Sequence, residues 1–84
     1  MFHVYILKSE EDKKLYIGST NDLRKRLQEH TKNKNFSTRS RGRLELVYYE
    51  AYKDERDARQ REKMIKHFGS AHSKLKHRLR FSLE

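Results

Sequence analysis

Apolar and polar residues alternate with period two in some stretches of the chain and recur at helical spacing in others, which divides it into strands and helices. Phe2 to Lys8, FHVYILK, is an apolar, β-branched run of strand length, with Phe2, Val4 and Ile6 on one face and His3, Tyr5 and Leu7 on the other. The short polar and acidic segment Ser9 to Lys13 suits a hairpin loop, after which Lys14 to Gly18 returns as a second strand. Tyr16 and Gly18 share one side of that strand, so an antiparallel register exists in which Tyr5 and Tyr16 look out from the same face.

After Gly18 the period changes. Ser19, Thr20 and Asp22 offer oxygens to the unpaired N–H groups of a helix start, and Leu23 and Leu27 mark the inward face of a helix from about Thr20 to Thr31. Leu44 to Tyr52, LELVYYEAY, carries large side chains on both faces, which predicts a central strand buried on two sides. Asp54 is a good N-cap for a helix over Glu55 to Phe68, whose apolar stripe is Ala58, Ile65 and Phe68 with Met64 beside them. Gly69 ends that helix, and Ser70 starts a last one with Ala71, Leu75 and Leu79 at four-residue steps. The order ββαβαα predicts an α+β fold, a small three-stranded antiparallel sheet flanked by helices, forming one domain over residues 1–84.

Composition narrows the partners. With 84 residues and 33% hydrophobic content, the chain supports one small core. Lysine and arginine number 21 against 12 aspartates and glutamates, giving a formal charge of +9. Such an excess repels itself in a compact state unless a polyanion neutralises it, and nucleic acid is the commonest polyanion in a cell. The absence of cysteine excludes disulfides and thiolate metal sites. No apolar run approaches the roughly 18 residues of a membrane span and the first residues lack signal-peptide shape, so a soluble cytoplasmic protein without a membrane partner is expected.

Several residues then stand out as candidate chemistry. Tyr16 ends a strand, while Arg26 and His30 lie one helical turn apart, so all three can converge on one spot. The segment Lys32 to Arg43 contains no acid, and its Lys32, Lys34, Thr38, Arg39 and Arg41 suit contacts to a phosphate backbone. The last helix adds Lys74 and Arg78 on its polar faces. Glu62 follows Ala58 by four and precedes Ile65 by three, which turns it toward the core side. A carboxylate there needs either a salt bridge, with Arg61, Lys66 or a residue across the core, or a bound cation. His3, His67, His72 and His77 show no metal-ligand spacing.

The ordered set Val4-Tyr5, Tyr16-Ile17-Gly18, Arg26, His30 and Glu62 within ARQREKMIK resembles the GIY-YIG nuclease family, and more narrowly its small single-domain bacterial members, the YhbQ-like group. His3-Val4-Tyr5 stands where Gly-Ile-Tyr is the nominal form, and no asparagine follows Asn35, whereas many members carry one late in the chain. The resemblance implies a divalent-metal-dependent endonuclease that hydrolyses phosphodiester bonds in DNA, single-stranded or branched DNA included, in repair, recombination or defence. It further implies one Mg²⁺ or Mn²⁺ ion held by Glu62, with Arg26 on the phosphate. Tyr16, aided by Tyr5 and His30, would orient or deprotonate the attacking water. The competing expectations are a basic nucleic-acid-binding module with little or no cleavage, and a small RNA-binding or ribosome-associated protein.

Overall fold

The unbroken apolar run at the start of the chain forms β1, Phe2–Ser9, and Val4, Tyr5, Ile6 and Leu7 are all buried, so both faces of this strand are covered. A strand covered on both faces belongs in the middle of its sheet, and the order is β2-β1-β3 with β2 at Leu15–Thr20 and β3 at Leu44–Tyr52. Both pairings are antiparallel. The computed structural model describes residues 1–31 and 44–84.

The position of β3 corrects the expectation that it is the central strand. Three of its large side chains are tyrosines, whose rings cover a half-exposed edge strand while the hydroxyls of Tyr48 and Tyr52 donate to Glu50. The β1–β2 turn closes through the Ser9 N–H on the Lys14 carbonyl, at 2.9 Å, and holds Lys13 at φ 61°, in the left-handed region.

Helix α1, Leu23–Thr31, begins later than the pattern suggests. Thr20 stays in β2, and its Oγ1 accepts from the Asp22 N–H at 3.1 Å. Asp22 is the capping residue, accepting from the Lys25 N–H at 3.1 Å. Ser19, expected to help start this helix, turns instead toward Glu62. Leu23 and Leu27 are half-buried, outside the main core cluster.

Helix α2, Glu55–His67, is capped as expected, with the Asp54 side chain accepting from the Arg56 N–H at 2.8 Å. Its Ala58 and Ile65 pack on Val4 and Ile6, together with Leu75 and Leu79 from α3, Gly69–Arg78, and its C-cap. Phe68 and Met64 fall outside that core, and Phe68 is 55% exposed. The reason is local: Phe68 is the extended residue between α2 and α3, at φ −114° and ψ 109°, so its ring leaves the helical stripe.

Register fixes which side chains share a face. Tyr5 is paired with Gly18 and Leu7 with Tyr16, so these four lie on one face, as the alternation allowed. Val4 pairs with Ser19 and Ile6 with Ile17, which places Ser19 on the face covered by α2 and α3.

Candidate functional site

The site is built around a missing side chain. A Cβ added to Gly18 would lie 2.4 Å from the Tyr5 hydroxyl oxygen and 2.6 Å from Cζ, inside any tolerable contact, so the phenol of β1 crosses the space that only glycine leaves open on β2. Tyr16 shares this face, and its hydroxyl oxygen is shielded from solvent.

Burial pushes the Tyr5 phenol up from its ordinary value; the positive charge of Arg26 opposes this, and the negative charges of Glu62 and Glu29 add to it. The phenol therefore keeps its proton at neutral pH and can donate it in a hydrogen bond. The charges that act on this phenol come from α1 and α2, through Arg26, Glu29 and Glu62.

Arg26 projects from α1, with Nη1 3.4 Å from the Glu29 carboxylate one turn on. It lines a cleft of about 240 Å³ together with Ser19 and Asn21 on one side and Glu55 and Arg59 of α2 on the other. Glu62 accepts from the Ser19 hydroxyl at 2.5 Å through Oε1 and from Lys66 Nζ at 2.7 Å through Oε2. Burial pushes its carboxyl up, but the bonds from Lys66 and Ser19 and the charges of Lys66 and Arg59 outweigh that and hold it below the usual carboxylate range. Of the partners considered for Glu62, Lys66 is the one found.

Arg61 turns the other way. Its Nε and Nη2 donate to the two oxygens of Glu50 at 3.0 and 3.1 Å, and Glu50 also accepts from Tyr48 at 2.6 Å and from Tyr52. Adjacent residues of α2 thus face opposite edges of the sheet, Glu62 toward β2 and Arg61 toward β3. Burial pushes the Tyr52 phenol up and its bond to Glu50 adds to this, to about 12. Sequence reasoning missed this cluster and the role of Ser19. The signal was present as Tyr48, Glu50 and Tyr52 at alternate positions of one strand, which face the same side.

The expected nucleic-acid contacts divide by location. Lys32, Lys34, Thr38, Arg39 and Arg41 lie outside the described residues. His30 occupies the last turn of α1, and its side chain likewise lies outside them. Lys74 and Arg78 on α3 line a separate cavity and are not part of the Arg26 cleft. Among the described residues no three His, Asp or Glu side chains cluster as a metal site, and no helix is long and apolar enough to cross a membrane. Glu62 could offer a divalent cation a single carboxylate, and Mg²⁺ is the ion that accepts so few protein ligands, because it keeps several waters.

The GIY-YIG family, described as the GIY-YIG catalytic domain, matches residues 1–76. The chain is also similar to three bacterial UPF0213 proteins. It is 45% identical over 67 residues to that of Clostridium perfringens, covering 79% of this chain and 71% of the relative. The protein of Bacillus pumilus is 43% identical over 65 residues, covering 76% and 65%, and that of Oceanobacillus iheyensis is 42% identical over 65, covering 76% and 74%. No solved structure matches the chain.

Proposed function

The chain belongs to the GIY-YIG family, and from that membership we propose that it is an endonuclease hydrolysing phosphodiester bonds in DNA with one Mg²⁺ or Mn²⁺ ion held by Glu62. The observation that carries this is the cleft that Arg26 lines with Ser19, whose hydroxyl is bonded to the Glu62 carboxylate. Arg26 forks onto the scissile phosphate and stabilises the charge that grows on its oxygens. Tyr5, holding its proton, donates to a phosphate oxygen or to the attacking water and orients it. Tyr16 and His30 complete the set around that water. The ion, when bound, supplies Lewis-acid charge at the same phosphate. Lys66, whose side chain is 42% exposed against 21% for Glu62, is a flexible arm that can leave the carboxylate when a cation arrives.

The Lys66–Glu62 pair also supports a second reading, a module that binds nucleic acid without cutting it, because a positive charge already satisfies the acid. One experiment separates the two. Labelled single-stranded, duplex and branched DNA, and RNA, are incubated with the protein in Mg²⁺, Mn²⁺ or chelator, beside Glu62→Ala and Arg26→Ala. Metal-dependent cutting that both substitutions abolish supports the endonuclease. Binding without cutting supports the module, and equal cutting by wild type and Glu62→Ala overturns the role given to that carboxylate.

A further inference from the structure

A second cavity, of about 280 Å³, opens between α2 and α3. Arg61, Ser70, Lys74 and Arg78 give it a polar side, Met64 and Leu75 an apolar one, and no acidic residue lines it. Arg61 is neutralised by Glu50, with which it forms a two-bond pair. Lys74 and Arg78 have no carboxylate partner among the described residues. Two uncompensated positive charges therefore border one concave space together with the Ser70 hydroxyl. We infer that this cavity is a second phosphate subsite for the polynucleotide, taking a backbone phosphate on Lys74 and Arg78 and the attached sugar against Met64 and Leu75. The inference rests on the nucleic-acid reading above and adds where a further part of the strand lies.

The chemistry favours a phosphodiester over a carboxylate or a free anion. A planar guanidinium and an ammonium bind a phosphate from two directions, and the apolar wall suits a group that carries carbon as well as charge. Placement agrees. Arg61 borders this cavity and Glu62, the next residue, faces the Arg26 side, so the two sites flank α2. A helix with its side chains is about 10–12 Å across, which equals about three steps of 3.4 Å along a stacked strand. The exposed Lys63 supplies positive charge along the helix between them, whereas Arg59 and Lys66 are paired with Glu55 and Glu62.

The test uses the whole chain with chelator present, so that binding is read without cutting. Affinity for a labelled single-stranded oligonucleotide is measured across a salt series for wild type, for Lys74→Ala/Arg78→Ala, and for Lys14→Ala/Lys53→Ala, which removes the same charge elsewhere on the surface. The expected result is about tenfold weaker binding for the α3 pair at low salt, and a log–log salt slope shallower by about 0.7, the value for one phosphate contact on a single strand. The control pair should change neither by more than about twofold. Equal losses in both pairs, or an unchanged slope in the α3 pair, overturn the subsite. Cutting by wild type in Mg²⁺ is scored separately. If wild type does not cut and the α3 pair still binds weakly, the endonuclease reading fails and the subsite stands; if wild type cuts and the α3 pair binds normally, the subsite alone fails.

Discussion

Gly18 illustrates how one residue sets the position of another. With the Tyr5 ring across its Cα, Gly18→Ala must displace the phenol, and overpacking of this kind costs about 1–3 kcal/mol. Tyr5→Ala removes the obstacle. The double variant should therefore be about as stable as Tyr5→Ala alone, a coupling that thermal or urea unfolding of the four proteins measures; additive losses would mean that the ring is not what excludes the methyl group. Cleavage should fall in Gly18→Ala about as far as in Tyr5→Ala, since both take the hydroxyl from its place. Lys66 offers a different residue-scale prediction. Because it occupies one oxygen of Glu62, it competes with a cation for that carboxylate. Removing an exposed pair of this kind is worth about 0.5–1 kcal/mol, so Lys66→Ala should lower the Mg²⁺ concentration for half-maximal cutting by about two- to fivefold. A higher requirement in the variant would show that Lys66 assists the ion rather than opposing it.

At the scale of elements, α2 is fastened along both flanks, to β2 through Glu62 and Ser19 and to β3 through Arg61 and Glu50. Burial pushes the Glu50 carboxyl up, but the bonds from Arg61, Tyr48 and Tyr52 outweigh it and hold it below the usual carboxylate range. A depressed carboxyl stabilises the fold fully above the unfolded value of 4.5 and loses that contribution as the pH falls through its lower folded value. The melting temperature should drop on acidification below about pH 4.5, and Glu50→Gln should flatten that drop. At pH 7 the substitution should cost about 1–3 kcal/mol, since it leaves a partly buried guanidinium without its charge partner. The phenol of Tyr52 acts at the other end of the scale. With its proton held to about 12, its contribution is full below the ordinary phenol value of 10.0 and is lost as the pH rises toward 12. An acid profile of Glu50→Gln identical to that of wild type would remove this pair from the stability of α2. Element boundaries were largely legible in the sequence, through Asp54 as a cap and the paired leucines of α3. The start of α1 was not, because Ser19 and Thr20 suit a helix cap locally while β1 pairing and Glu62 claim them in the folded chain.

For the whole molecule the charge of +9 matters most. Its field favours any polyanion and predicts affinity that falls steeply with added salt, whichever of the proposed contacts are made. The metal is expected to matter for chemistry and not for folding. With no cluster of three ligating acids or histidines among the described residues, chelator should leave the melting temperature within about 1 °C of its value in Mg²⁺, while abolishing any cutting. A large loss of stability on chelation would mean that the ion is structural. The sequence alone determined the element order and the inward turn of Glu62, because period two and period 3.6 depend only on local backbone geometry, whereas the shared face of Tyr5 and Tyr16 was one register among several until the β1–β2 pairing fixed it. Only the tertiary structure decided that β1 is the middle strand, that Glu62 meets Ser19 and Lys66, and that Arg61 closes on Glu50. Those choices hang on strand order and on which edge a helix flank meets, and both are set by packing between segments far apart in the chain.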